Sequence, residues 1–247
     1  LGDYDLRIMV NDTDGSSTDW SNYDDVITVV NNHPILQNYM LSQSSVLRTS
    51  TTVIGVNSTD VEDIESIHSV LIQLRSPSGS WSTVDLSTVW YDSSDGRWET
   101  NFTPATTAEL GSYDLRIMVN DTDGDSTNWS VYDDVIQVVS NPPTITGYNV
   151  TDNSILRTET TIVLVEVSDT EDDDQDMSVT VQYRVSSGDW MTNYLEQPWY
   201  NSSDSRWETN FTPTSSAVLG QYDIRVRVTD LDEGSSSWSV HAGSITV

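Results

Sequence analysis

From Tyr113 onward the chain alternates: Tyr113, Leu115, Ile117 and Val119 point one way along an extended backbone, and Asp114, Arg116, Met118 and Asn120 point the other. A period of two sends successive side chains to opposite faces, so the run predicts a strand with one core face and one wetted face. Tyr222, Ile224, Val226 and Val228 repeat the pattern further on. Between residues 34 and 142, short runs of the same kind predict strands at 35–40, 51–57, 69–75, 81–86, 97–103, 113–120 and 132–139. Turn residues punctuate them, at Pro77-Ser78-Gly79, Ser94-Asp95-Gly96 and, later, Ser186-Ser187-Gly188. No stretch holds a helical period for more than about two turns. Seven strands in about 100 residues predict two antiparallel sheets joined by Greek-key links.

The pattern recurs because the sequence does. Leu1-Gly2 returns as Leu110-Gly111 and Leu219-Gly220, Trp20 as Trp129 and Trp238, Pro34 as Pro143, and Trp90 as Trp199. Self-similarity at a fixed period is the mark of a tandem array. The register divides the chain into complete copies at 34–142 and 143–247, each long enough to bury its own core. Residues 1–33 match only the last third of a copy. Two readings stand for them: the closing strands of a truncated repeat, or strands that complete a sandwich in another subunit.

Leu110-Gly111-Ser112-Tyr113-Asp114 resembles the tyrosine corner of immunoglobulin-like sandwiches. The run from Tyr113 to Gly124 is similar to the closing strands of bacterial and archaeal surface repeats of the immunoglobulin-like, polycystin-type (PKD) and cadherin-like kinds. The resemblance implies an all-β fold of tandem seven-stranded antiparallel sandwiches. It implies little about activity, since such sandwiches host many roles. The inter-sheet cystine of antibody domains is missing, so packing must replace it.

Composition narrows the function. There are 39 acidic residues against 10 basic ones, all arginine, for a net charge of −29. That field repels nucleic acid and anionic lipid and attracts cations. With no cysteine and no lysine, disulfides, zinc-thiolate sites and lysine isopeptide cross-links are unavailable. No apolar run reaches the 18 or so residues of a membrane span. Sequons at Asn11, Asn57, Asn101, Asn120, Asn128, Asn149, Asn201 and Asn210 are candidate glycosylation sites and point outside the cell.

Two acidic loops in each copy are candidate cation ligands. One holds Asp60, Glu62 and Asp63, repeated as Asp169, Glu171 and Asp172; the other holds Asp121 and Asp123, repeated as Asp12 and Asp14 and as Asp230 and Asp232. In an immunoglobulin-like sandwich both loops lie at the pole that receives the preceding linker. Paired carboxylates on a tight Asp-x-Asp-Gly turn offer the oxygens that calcium takes, and the arrangement resembles the calcium-stiffened junctions of cadherins without their linker motifs. The same residues also serve as solvated turns. The adjacent aromatics Trp90-Tyr91 and Trp199-Tyr200 must face opposite ways if extended, leaving one ring of each pair for a sugar or a subunit. The histidines, His33, His68 and His241, do not recur at equivalent positions, and His68 reads as an exposed strand residue. No catalytic motif is present.

These features together predict an extracellular, cell-surface structural protein: a repeat-built rod, filament or surface-layer component that associates with copies of itself, its joints stiffened by Ca2+. They predict no enzyme, no nucleic-acid partner and no membrane span in this segment. An adhesin stalk or carbohydrate-binding array with a glycan partner is the alternative, and an accessory region of a large secreted enzyme is a third.

Overall fold

The computed structural model describes residues 1–185 and 187–247. Of the predicted turn at Ser186-Ser187-Gly188, Ser186 therefore lies outside the described residues. Strands alternate with turns throughout, and one 3-10 turn forms at Glu65–Ile67. Contacts group the chain into two units. The first is Leu1–Val46, Thr51–Thr103 and Gly111–Gln137; the second is Leu47–Ser50, Pro104–Leu110 and Val138–Val247.

In the first unit, β1 (Gly2–Ile8) and β2 (Ser21–Val29) form a two-stranded sheet of their own. The first complete copy follows with β3 (Ile35–Leu41), β4 (Ser45–Leu47), β5 (Thr52–Thr59), β6 (Ser69–Arg75), β7 (Trp90–Asp92), β8 (Arg97–Phe102), β9 (Gly111–Asn120) and β10 (Ser130–Val139). They make two four-stranded sheets, ordered β3-β5-β8-β7 and β4-β10-β9-β6. The alternation read from the sequence places the core: Leu115, Ile117 and Val119 of β9 have no exposed surface, and Val70, Ile72 and Leu74 of β6 face inward beside them.

The second copy repeats the plan with β11 (Thr144–Val150), β12 (Thr161–Ser168), β13 (Ser178–Val185), β14 (Trp199–Asn201), β15 (Arg206–Phe211), β16 (Gln221–Thr229) and β17 (Ser239–Thr246). Its sheets run β11-β12-β15-β14 and β13-β16-β17. This is the immunoglobulin-like arrangement of paired antiparallel sheets. The tyrosine corner forms here: Tyr222, fully buried, donates its hydroxyl to the carbonyl of Val218 at 2.7 Å.

Two expectations fail. The predicted strand at 81–86 is absent; only the isolated bridges Leu74–Ser82 and Leu86–Phe102 remain, and the strand forms later, as β7. Ser82 Oγ accepts the Val84 amide, and Asp85 adopts a φ of 66° in the left-handed region, which breaks an extended run. His68 is not an exposed residue but is 2% exposed. It shares the parity of Val70, Ile72 and Leu74, so the core face continues to it across the start of β6. Its counterpart, Met177, is buried in the same way.

On the wetted face of each copy an arginine lies between two tryptophans. Arg116 lies 4.8 Å from Trp81 and 4.3 Å from Trp129, and Arg225 lies 4.5 Å from Trp190 and 4.1 Å from Trp238. The guanidinium also forks onto Gln73 Oε1 in the first copy and Gln182 Oε1 in the second. Beside it, Asp223 Oδ1 accepts the Gly243 amide at 2.8 Å and Oδ2 accepts Arg184 Nε at 2.9 Å; Asp114 repeats this with the Asp134 amide and Arg75.

In Asp223 the Gly243 amide, and in Asp114 the Asp134 amide, is the main cause holding the carboxyl below its usual range. A depressed folded-state value means that the stabilisation is complete above the unfolded carboxylate pKa of about 3.9 and is lost as pH falls through the folded value. Urea unfolding is expected to show a midpoint that drops below about pH 4 and drops less in the Asp223→Asn variant. Equal pH dependence in the two proteins would remove Asp223 from the account.

Candidate functional site

The two acidic loops meet at one pole of each complete copy. In the first, Asp63 Oδ2 accepts the Thr122 amide at 3.0 Å and its hydroxyl at 2.7 Å; in the second, Asp172 Oδ2 accepts the Leu231 amide at 3.1 Å. Much of the acidity ties the backbone together. Asp60 Oδ1 takes the amides of Glu62 and Asp63, as Asp169 Oδ1 takes those of Glu171 and Asp172. Asp121 Oδ1 takes three amides, from Asp123, Gly124 and Asp125, whereas Asp230 Oδ1 takes that of Gly234 at 2.7 Å. In the β1–β2 hairpin, Asp12 Oδ1 closes its turn on the amides of Asp14 and Ser16. Asp14 and Asp123 are exposed.

The linkers also reach these carboxylates. Asn32 donates its amide and side chain to Glu62, and Asn141 does the same to Glu171. Within the second unit, Arg48 Nη1 pairs with Asp232 Oδ2 at 2.6 Å while its Nε donates to the Ala108 carbonyl. Asp232 is thus held by a cation of the protein itself.

The copies differ at one oxygen. Asn31 Nδ2 donates to Asp121 Oδ2 at 2.7 Å, but the residue in the place of Asn31 in the second copy is Ser140, and Asp230 Oδ2 is buried without a hydrogen-bond partner. Asp60 Oδ2 and Asp169 Oδ2 are also buried and unpartnered. The electrostatics follow. Burial works to raise the Asp121 carboxyl, but the Asp125 amide, Asn31 and the neighbouring amides outweigh it and hold the group below its usual range. Burial pushes the Asp230 carboxyl up; the Gly234 amide opposes this, and the charges of Asp169 and Asp172 add to the rise.

The sequence did not single out Asp92, Asp95 and Glu99, the one group of three carboxylates whose oxygens lie within 4.8 Å of one another among the described residues. Arg97 neutralises it, bonding Asp95 at 2.6 Å and Glu99 at 2.7 Å. It is a closed ion-pair turn.

Tyr91 and Tyr200 pack edge-on against Trp98 and Trp207, whose indole N–H groups donate to the carbonyls of Glu65 and Asp174. Trp90 and Trp199 face the other way, 36% and 37% exposed. Of the sequon asparagines, Asn11, Asn128 and Asn149 are exposed and Asn57, Asn101, Asn120, Asn201 and Asn210 are half-buried. The side-chain amides of Asn201 and Asn210 donate to Glu208 and Glu196. His68 Nδ1 lies 2.8 Å from Ser58 Oγ, but both residues are buried, so the pair offers no access to a substrate.

The class that fold and sites define is a tandem of immunoglobulin-like sandwiches with acidic poles. No family model matches the chain, and no curated protein matches it. Among solved structures it is similar to the titin domains Z1Z2 in complex with telethonin, at 15% identity and a TM-score of 0.40, over 89% of this chain and 98% of that one. It is also similar to FdeC, an Escherichia coli adhesin (15%, TM-score 0.32, 89% and 66%), and to a marsupial T cell receptor (7%, TM-score 0.37, 85% and 71%).

Proposed function

We propose that the chain is a segment of an extracellular structural protein, a filament or surface-layer component assembled from repeated sandwiches, with no catalytic role. One observation carries this reading: the two complete copies repeat one plan, the sheet β3-β5-β8-β7 returning as β11-β12-β15-β14 and each copy holding an arginine between two tryptophans, as units of a repeat-built assembly do. Tyr4, Leu6 and Ile8 of β1 are 51%, 42% and 46% exposed, although their counterparts Tyr113, Leu115 and Ile117, and Tyr222, Ile224 and Val226, are core. Burying each such side chain contributes about 1.5–3 kcal/mol; in the complete copies the strands that bury them, β6 and β13, come from the earlier part of the repeat, which has no counterpart in residues 1–33.

The complete copies give the chemistry of the strand that buries these residues. It is a strand of alternating aliphatics like β6 and β13, carrying a glutamine to receive Arg7, as Gln73 receives Arg116, and an arginine to meet Asp5, as Arg75 meets Asp114. Arg7 already lies 4.5 Å over Trp20 and lacks the second tryptophan found in the other copies. Completion of a sandwich by strands of the same repeat would make assembly and folding one process.

Size-exclusion chromatography with light scattering tests it. The full chain is expected to associate with rising concentration, and the double variant Leu6→Asp, Ile8→Asp is expected to stay monomeric. A monomeric wild-type chain at every concentration would overturn self-assembly through this face.

A sugar-binding array is the second reading. Its support is the outward ring of Trp90 and Trp199, the same in both copies.

A further inference from the structure

The acidic poles of the two complete copies are built on one plan and differ in how their charge is balanced. In the first, the side-chain amide of Asn31 sits on Asp121 Oδ2. In the second, the linker follows the same course, since Asn141 grips Glu171 as Asn32 grips Glu62, yet Ser140 leaves Asp230 Oδ2 with nothing. Asp230 is 7% exposed, and Asp169 Oδ2, in the adjoining loop, is likewise buried without a partner. A buried carboxylate oxygen that accepts no hydrogen bond costs several kcal/mol, and two of them at one pole compound that cost.

No donor of the protein resolves it. Arg48, which reaches the same loop, is committed to Asp232 and the Ala108 carbonyl. Gly234 is what lets the Asp230 side chain lie there: a Cβ on it would lie 2.3 Å from Oδ2, so the carboxyl packs directly on the glycine, where the first copy carries Asp125.

We infer that the pole of the second copy is a divalent-cation site that takes calcium between Asp169 Oδ2 and Asp230 Oδ2, and that the pole of the first copy is not one, because Asn31 fills its place. Two carboxylate oxygens in a chain of net charge −29 suit a hard, oxygen-seeking cation such as calcium. An extracellular module with so few protein ligands binds in the range of about 10⁻⁴–10⁻³ M. The inference does not depend on self-assembly, since every residue involved lies within the second unit.

Hydrogen exchange read by mass spectrometry tests it in the full chain, with and without millimolar calcium chloride at constant ionic strength. Calcium is expected to slow exchange about threefold or more in the segments 168–176 and 229–236, leaving 59–67 and 120–126 unchanged. Ser140→Asn, which supplies the missing amide, is expected to abolish the response, and Asp169→Asn to weaken it about tenfold in calcium concentration. An absent response, an equal response at both poles, or a response that survives Ser140→Asn would each overturn the inference.

Discussion

Phe211→Ala is expected to cost the second copy about 4 kcal/mol, the range for deleting a fully buried aromatic ring. Phe211 has no exposed surface and is the hub of a ring cluster, 5.3 Å from Tyr183, 5.6 Å from Tyr222 and 6.0 Å from Tyr194 between centroids. Tyr183 and Tyr194 are themselves stacked at 4.9 Å, and the Tyr183 hydroxyl donates to Asn193. These rings are rigid and interlocked, so the vacated space cannot close by small movements, and the cavity term adds to the lost burial.

The first copy answers the same deletion differently. Phe102 touches one ring, Tyr113, at 5.7 Å, because Leu74 stands where the second copy has Tyr183 and Asp85 where it has Tyr194. Phe102→Ala leaves a flexible leucine beside the cavity and is expected to cost about 1 kcal/mol less. Calorimetry of the full chain reads both. At about 4–8 °C per kcal/mol for a domain of this size, Phe211→Ala is expected to lower one transition by about 15 °C or more and leave the other in place. A single transition shifted equally by either variant would show that the copies do not unfold as separate units.

How far the sequence carried this structure depends on which signal was read. Short apolar runs located β3, β5, β6, β8, β9 and β10 to within a residue or two, and the period-two alternation is clearest in β6 and β9, where one face is core and the other is wet. It failed at 81–86, where Trp81 and Leu86 suggest a strand but the turn at Ser82 and the left-handed Asp85 decide the backbone. His68 was misread by residue type when parity with Val70 and the apolar Met177 in the other copy both pointed inward. Sequence comparison between copies is therefore a stronger guide here than propensity.

The acidic loops were legible as a cluster but not as chemistry. Spacing does not tell an aspartate that caps a turn, such as Asp12, from one that meets an arginine, such as Asp232, or one left unpartnered, such as Asp230. The deciding residue, Ser140 in place of Asn31, was visible in the alignment of the two copies, but its meaning needed the distance from Asn31 to Asp121.

Arg225→Ala is expected to destabilise the second copy by about 3 kcal/mol, although the residue lies on the wetted face of its sheet. Its guanidinium is held between Trp190 and Trp238, contacts worth about 0.5–2 kcal/mol each when partly desolvated, and it donates from both Nε and Nη2 to Gln182 Oε1. Alanine removes all of these at once and uncovers two indole faces. Two effects act against the arginine, burial first and the charge of Arg184 second, and both lower its pKa, so the net cost is less than the sum of the contacts. Lysine keeps the charge but loses the planar fork and the stacking, so Arg225→Lys is expected to recover less than half of the loss. Urea unfolding of the three proteins reads these differences directly. A lysine variant as stable as the wild type would show that charge alone matters on this face, and the ladder of tryptophan, arginine and tryptophan would then be packing without specificity. The expected order, wild type above lysine above alanine, would instead make the planar guanidinium the part that locks the outer face of each sandwich in a chain with neither disulfide nor isopeptide bond.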